Sequence, residues 1–191
     1  MDRVEAWLRG VVETPGLTSL ELAAARAVLV DDALRAVPLL ERYEGVVVDV
    51  GSGNGSPGIP LALRLPGRQI ELLEAERRRC EFLRRWAPPN ATVVRGRAEE
   101  QSVDRVGVAL AKALAPPPVA AEWCLPLVRP GGAAILWVGE SADLERLARA
   151  AGQVAGRIAD VAGGVVVIEK TGATPAGFPR RVGVARKRPL A

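Results

Sequence analysis

The segment from residue 46 to residue 60 places four glycines within eight residues, directly after a run of valines. It reads VVVDVGSGNGSPGIP, and its first five residues have the composition of a buried strand. Glycine costs chain entropy, but it permits backbone conformations and close approaches that a side chain forbids. The cluster therefore predicts a loop at the end of a strand whose backbone lies against a small ligand.

Short β-branched runs alternate with amphipathic or alanine-rich segments beyond residue 45. This alternation is typical of parallel strands joined by right-handed helical crossovers, so we predict an α/β, Rossmann-like fold with helices on both faces of the sheet. Residues 154–161 predict a further strand before a hairpin at Gly163-Gly164, which would add a late antiparallel pair. Arg129-Pro130-Gly131-Gly132 predicts a tight stop before a strand. The predicted strands are 46–50, 69–74, 91–95, 106–110, 133–138 and 164–170, and the predicted helices are 58–65, 76–86, 118–128 and 142–151.

The chain divides into three predicted parts, which its 191 residues are long enough to bury around one core. Residues 1–44 are expected to form an N-terminal helical extension, with a break at Thr14-Pro15-Gly16. Residues 45–170 form the α/β domain, and residues 171–191 form a basic tail packed on it. The tail contains no acid, and a second basic cluster lies in residues 77–85. Clustered arginine indicates a phosphate-binding surface, although a solvated helix face with a loose terminus would give the same pattern.

Composition excludes several kinds of chemistry. The chain has no histidine, which excludes zinc sites that use imidazole, Ser-His-Asp triads and a histidine general base. Its two cysteines have no metal-site spacing, so no metal is expected. The N-terminus is charged from its second residue, and no apolar run approaches the length of a membrane span. We therefore expect a cytoplasmic protein that does not bind a membrane.

Two cofactor classes use a glycine loop at this position, the dinucleotides and S-adenosylmethionine. Gly53, Gly55 and Gly58 fit the G-x-G-x-x-G spacing of dinucleotide sites. However, the prolines around the predicted helix start remove backbone donors that a pyrophosphate would need. Asp49 would repel a phosphate, whereas it suits the sulfonium and ammonium groups of S-adenosylmethionine. The loop therefore favours S-adenosylmethionine over a dinucleotide.

Two later strand ends carry polar groups suited to the rest of this cofactor. Glu74 ends the second strand, where a carboxylate can accept hydrogen bonds from both ribose hydroxyls. After the third strand, the backbone N–H of Ala98 can donate to an adenine ring nitrogen, and Glu99 can accept from the exocyclic amine. The predicted cofactor-binding residues are Asp49, Gly51, Ser52, Gly53, Gly55, Gly58, Glu74, Ala75, Ala98 and Glu99.

These motifs together resemble the RsmG, or GidB, family of bacterial enzymes that methylate N7 of a guanine in 16S ribosomal RNA. The similarity is carried by DVGSGNGSPGIPLA at residues 49–62, by Phe82-Leu83 after a basic helix, by GRAEE at 96–100, by CLPLVRPGG at 124–132 and by the tail from residue 178 to residue 190. The resemblance implies a class I S-adenosylmethionine-dependent methyltransferase domain at 45–170. It also implies small-subunit ribosomal RNA, or the assembling small subunit, as the partner.

The sequence departs from the family at two substrate-side positions. Ala111-Lys112-Ala113 stands where the family commonly has Ser-Arg-Ala, and Val138-Gly139 stands where it has Lys-Gly. Guanine N7 carries a lone pair and no proton, so its methylation needs no general base. Lys112 is the predicted catalytic and substrate-contacting residue, donating to guanine O6, and Glu99 or Glu122 is a candidate to offset positive charge on the purine. The residues predicted to bind RNA phosphates are Arg180, Arg181, Arg186, Lys187 and Arg188.

Two other interpretations remain open at this point. The chain could methylate a small metabolite, with the basic tail incidental. It could also be a non-catalytic RNA-binding protein that keeps the cofactor fold, as the residues at Lys112 and Val138 suggest. Retention of Asp49, Glu74 and the whole glycine loop argues against loss of catalysis.

Overall fold

The structure is a computed structural model that describes residues 2–191. In this part of the chain, seven strands form one sheet in the order β3-β2-β1-β4-β5-β7-β6. The first five strands pair in parallel, whereas β7 runs antiparallel to both β5 and β6. The strands are β1 Val47–Val50, β2 Ile70–Glu74, β3 Ala91–Arg95, β4 Val106–Lys112, β5 Val128–Trp137, β6 Gly156–Ala162 and β7 Val165–Lys170. The predicted late antiparallel pair is confirmed.

Helices connect the strands and precede the sheet. Two of the longer helices begin at a capping side chain: Asp2 accepts a hydrogen bond from the Val4 N–H, and Asp143 accepts one from the Arg146 N–H at 2.9 Å. The helices are α1 Arg3–Glu13, α2 Leu22–Arg26, α3 Asp32–Leu34, α4 Val37–Leu40, α5 Gly58–Arg64, α6 Arg77–Trp86, α7 Pro117–Cys124, α8 Leu144–Gly152 and α9 Val184–Lys187. A π-helical segment, Ala27–Asp31, joins α2 to α3.

Two boundaries differ from the sequence prediction by more than two residues. α7 ends at Cys124 and continues as a 3-10 turn, Leu125–Leu127, because Pro126 has no N–H to extend the α-helical ladder. The stop predicted at residues 129–132 is wrong, since β5 begins at Val128, which pairs with Val106. The chain then bulges at Gly131, where φ is +80°, and pairing resumes at Ala133.

Alternate residues of the central strands pack on opposite faces of the sheet. Val47 of β1 belongs to a buried cluster with residues of α1, α5 and α6. Val48 belongs to a second cluster with residues of α7 and α8. This period of two is what a strand buried on both sides requires. The sheet is therefore covered on both faces, and its carboxyl edge is left for loops.

Both chain ends pack on these clusters. Trp7, Leu8 and Val11 of α1 are fully buried in the first cluster. Ala185 of the tail is buried in the second cluster, and the partly buried Phe178 packs against the same cluster. The division of the chain at residues 44 and 170 stays a prediction. Over residues 2–191, no helix combines the length and apolar character that a membrane crossing needs.

Candidate functional site

Two adjoining cavities lie at the carboxyl edge of the sheet, beside the glycine loop. One, of about 240 Å3, is called here the Glu74 cavity, after the carboxylate that lines it. The other, of about 220 Å3, is called the Lys112 cavity. Gly51, Arg79 and Ala113 line both cavities, so the two meet at these residues. The carboxyl edge of a parallel sheet is the usual place for a ligand in such folds.

The glycine loop follows β1 and adopts conformations that other residues rarely tolerate. Its φ angles are +71° at Gly51, +53° at Gly53 and +103° at Gly55. A Cβ at Gly51 would overlap the Leu114 side chain, which lies across the loop and lines the Glu74 cavity. Glycine is thus required here both by the backbone angles and by close packing.

Glu74 is held in place by two backbone donors. Its Oε2 accepts from the Gly53 N–H at 2.9 Å, and its Oε1 accepts from the Glu76 N–H at 2.8 Å. The residue is 6% exposed, at the end of β2. Two hydrogen bonds to one carboxylate fix its orientation and link the ends of β1 and β2. A carboxylate fixed at a cavity wall is a ready acceptor for ligand hydroxyl groups.

Asp49 lies beneath the glycine loop and lines neither cavity. It is 1% exposed, and its Oδ2 accepts from the Gly58 N–H at 3.1 Å. Burial raises the pKa of Asp49 to about 7, and the nearby Glu74 adds to the rise, while the Gly58 and Ser52 donors and Lys112 oppose it. The position of this carboxylate suits support of the loop and of the start of α5, rather than direct contact with a ligand.

The N-terminal helices brace the glycine loop from outside. Trp7 Nε1 donates to the carbonyl of Asn54 at 3.0 Å, and the Asn54 amide donates to the carbonyl of Leu17 at 3.3 Å. Ser56 Oγ donates to the carbonyl of Leu29 at 2.8 Å. Three polar contacts therefore tie the loop to residues that precede the sheet. Nothing in the sequence predicted the bond from Trp7 to the loop.

Lys112 ends β4 and lines the Lys112 cavity. Its Nζ pairs with Asp32 Oδ2 at 2.8 Å and also donates to the carbonyl of Val28 in the π-helical segment. The lysine side chain is 12% exposed, so it is largely shielded from solvent. The position at the strand end is as predicted. The ion pair was not, because nothing in the sequence brings residue 32 next to residue 112.

Residues from three other segments of the chain also line the Glu74 cavity. Ala98 and Glu99 line it from a 3-10 turn after β3, as expected for the predicted adenine loop. Trp123 of α7 and Arg186 of α9 also line it. The buried indole Nε1 of Trp123 has no hydrogen-bond partner among the residues that the structure describes.

The predicted site residues thus separate into three groups. Eight of them line one or both cavities: Gly51, Ser52, Gly53, Glu74, Ala75, Ala98, Glu99 and Lys112. Three others are buried and line neither cavity: Asp49, Gly55 and Gly58. Of the basic residues predicted in the tail, Arg186 lines the Glu74 cavity, and Arg180, Arg181, Lys187 and Arg188 line neither cavity. Arg79, Leu114 and Trp123 line the site but were not predicted; the position of Arg79 in the first turn after Glu74 was the available signal.

Two carboxylates predicted near the substrate have other partners. Glu122 is 2% exposed and accepts two hydrogen bonds from Arg180, each at 2.5 Å. Glu99 Oε1 accepts from the Gly183 N–H at 3.4 Å, although the residue still lines the Glu74 cavity. Glu122 therefore serves to hold the tail, and the acid nearest to Lys112 is Asp32.

Comparison with known proteins gives related sequences and folds. The GidB family, described as rRNA small subunit methyltransferase G, matches residues 13–158. The chain is 35% identical over 175 residues to the ribosomal RNA small subunit methyltransferase G of Synechococcus elongatus, which covers 80% of this chain and 72% of that protein. The corresponding protein of Rubrobacter xylanophilus is 37% identical over 173 residues, 78% of this chain and 66% of its own.

Solved structures show the same fold at lower identity. The T. thermophilus 16S rRNA methyltransferase RsmC, in complex with AdoMet and guanosine, superimposes with a TM-score of 0.56 at 19% identity, over 76% of this chain and 40% of its own. The 16S rRNA methyltransferase KamB gives 0.52 at 18% identity, over 73% and 92%. The fold is that of the class I S-adenosylmethionine-dependent methyltransferases, as predicted. The chain belongs to the GidB family of small-subunit ribosomal RNA methyltransferases.

Proposed function

We propose that this protein transfers a methyl group from S-adenosylmethionine to N7 of a guanine in 16S ribosomal RNA. The observation that carries the proposal is the Glu74 carboxylate, fixed by two backbone N–H groups at the wall of a cavity beside the glycine loop, in a chain of this family.

The residues of the Glu74 cavity fit S-adenosylmethionine. Glu74 would accept from the ribose hydroxyls, and the turn at Ala98–Glu100 would meet the adenine ring. S-adenosylmethionine supplies a methyl group on a cationic sulfur. A dinucleotide fits less well, because a pyrophosphate would meet the Glu74 carboxylate and a loop in which Pro57 and Pro60 lack N–H donors.

The Lys112 cavity adjoins this site and would receive the guanine. N7 attacks without losing a proton, so the chain's own residues need only position the base and stabilise charge. Lys112 would donate to guanine O6. An unpaired lysine would disfavour a purine that becomes cationic, but Asp32 at 2.8 Å neutralises its charge. The pair therefore offers a donor without a net positive charge beside the reacting ring.

An exposed basic surface next to the cavities suits the RNA backbone. Arg78, Arg84 and Arg85 of α6 are exposed, and so are Arg181 and Lys187 of the tail. Arginine and lysine bind phosphates with an affinity that falls steeply with salt. The partner is accordingly ribosomal RNA of the small subunit, either free or in the assembling particle.

The test is methyl transfer to defined RNA. Purified protein is incubated with labelled S-adenosylmethionine and with 16S ribosomal RNA, or small subunits, that lack the modification, and the RNA is digested to nucleosides. Label in N7-methylguanosine supports the proposal, and mapping then gives the position. Label in another nucleoside would overturn the N7 assignment. Cofactor binding without transfer to either RNA form would favour a metabolite substrate or a non-catalytic RNA-binding role.

A further inference from the structure

The C-terminal tail is docked through a buried ion pair. Arg180 Nε and Nη2 donate to the two oxygens of Glu122, each at 2.5 Å, and Nη2 also donates to the carbonyl of Arg188 at 2.8 Å. Glu122 is 2% exposed, and the Arg180 side chain is 23% exposed. A buried carboxylate needs a cation and hydrogen-bond donors. Arg180 supplies both, so the tail is held on α7 in one arrangement.

A second contact joins the tail to the turn after β3. The Gly183 N–H donates to Glu99 Oε1 at 3.4 Å, and Gly183 has a φ of +81°, which directs the chain into α9. Ala185 then packs into the second buried cluster with 2% exposure. Glu99 thus faces the Glu74 cavity and holds the tail at the same time.

Arg186 follows at the cavity itself. Its guanidinium carbon lies 5.2 Å from the centre of the Trp123 ring, and both residues line the Glu74 cavity. A guanidinium over an indole is a favourable cation–π arrangement. One wall of the cavity is therefore made by a residue of the tail, from a part of the chain more than sixty residues beyond α7 in sequence.

We infer that the tail forms part of one wall of the cofactor site through Arg186, which is a cofactor-positioning residue, and that cofactor and RNA affinities are coupled through the tail. This inference rests on the proposed function. Arg181, Lys187 and Arg188 are exposed on the same short segment and would meet RNA phosphates. RNA bound to these charges would further stabilise the docked tail, and with it the position of Arg186 on Trp123. Coupling of this kind is reciprocal, so each ligand raises the affinity for the other by the same factor.

The experiment measures binding of S-adenosylhomocysteine to the full chain by calorimetry, with and without a 16S ribosomal RNA fragment. Arg186→Ala is expected to weaken S-adenosylhomocysteine binding about fivefold, since it removes the side chain that forms this part of the cavity wall. It should also remove the increase in affinity that RNA produces with the unsubstituted protein. Arg181→Ala should weaken RNA binding but leave the affinity for S-adenosylhomocysteine in the absence of RNA unchanged.

Two further variants separate the inference from general damage. Arg149→Ala removes an exposed arginine on α8, far from the tail in sequence, and should change neither affinity. Arg186→Lys keeps a cation over Trp123 and should recover part of the lost affinity. If Arg186→Ala binds S-adenosylhomocysteine within twofold of the unsubstituted protein and keeps the RNA effect, the inference is overturned. If the unsubstituted protein binds no S-adenosylhomocysteine at all, the proposed function fails, and the inference fails with it.

Discussion

The two ends of the chain each support one side of the site, but by different physical means. The N-terminal helices hold the glycine loop through the fully buried Trp7 and through neutral hydrogen bonds to backbone carbonyls. The tail is held mainly by Arg180 on Glu122 and by Arg186 over Trp123. It also carries exposed charges at Arg181, Lys187 and Arg188. The first end belongs to the main core, so its loss should unfold the domain. The second should detach while the sheet stays folded.

The largest effect is expected for Trp7→Ala. Removing a fully buried indole from the core, together with its bond to the Asn54 carbonyl, should lower the free energy of unfolding by about 4 kcal/mol. Urea denaturation measures this loss. Trp7→Phe keeps most of the apolar volume and removes the hydrogen bond, so it should cost about 1 kcal/mol. A loss below about 1 kcal/mol for the alanine variant would show that this end is not part of the core.

Arg180→Ala should detach the tail from α7 without unfolding the sheet. It leaves Glu122 buried without its cation, which costs about 3 kcal/mol, at the lower end for buried pairs because Arg180 is partly exposed. We expect amide hydrogen exchange in residues 178–190 to quicken about a hundredfold, while the urea midpoint of the sheet changes little. The double variant Arg180→Ala/Glu122→Ala should recover part of the protection, because no buried carboxylate is then left unpaired.

The opposite result for Arg180→Ala would also be informative. If exchange accelerated equally in β1 and in the tail, both ends would belong to one cooperative unit, and the contrast between them would be lost. Arg149→Ala, which removes an exposed arginine on α8, is the matched control and should leave the exchange pattern unchanged.

Asp49 should give the domain a pH-dependent stability. Because burial raises its pKa to about 7 from an ordinary 3.8, the folded state holds a proton that the unfolded state has lost between these values. Stability from this group is therefore complete below about pH 4 and is lost as the pH rises to about 7. Its slope is at most about 1.4 kcal/mol per pH unit, which gives a loss of about 2 kcal/mol between pH 5 and pH 7.

The pH prediction is tested by comparing the protein with its Asp49→Asn variant. Asparagine keeps an oxygen for the Gly58 N–H and does not titrate, so the decline assigned to Asp49 should disappear. Urea unfolding at pH 5, 6 and 7 gives the free energy of unfolding of both proteins. The contributions of the other titrating groups cancel in the difference between the two, so the change of this difference with pH reports Asp49. Parallel curves would mean that Asp49 ionises near its ordinary pKa.

The sequence predicted the parts of the site that are local. The valine run before the glycines, and Glu74 at the end of a short apolar run, identified the ends of β1 and β2, because strand and loop are encoded by neighbouring residues. The parallel topology followed from the alternation of strands and helices. Lys112 was placed at the end of β4 for the same reason.

The parts that were missed depend on contacts between distant segments. Trp7 meets Asn54 across 47 positions, Lys112 meets Asp32 across 80, and Arg180 meets Glu122 across 58. No periodicity or spacing encodes such pairs, since they arise only when the sheet brings its edges together. Asp49 was predicted to bind the cofactor because it precedes the glycines, but the side of the loop on which its carboxylate lies depends on packing and could not be predicted from the sequence.

The smallest effect, and the one that most directly compares the two sides of the site, is expected for Lys112→Met. This change keeps the length of the side chain but removes its donor from the Lys112 cavity, so it should slow methyl transfer about tenfold. S-adenosylhomocysteine affinity should stay within twofold, because Lys112 does not line the Glu74 cavity. Single-turnover rates at saturating RNA measure methyl transfer, and calorimetry measures the affinity for S-adenosylhomocysteine, so the two quantities are separated.

Lys112→Arg should restore most of the rate if donation to the base is the role of this residue. If instead both variants lose stability and cofactor affinity together, Lys112 serves only to clamp the π-helical segment through Asp32, and the guanine must be gripped by another group, of which Arg79, at the junction of the cavities, is the first to substitute.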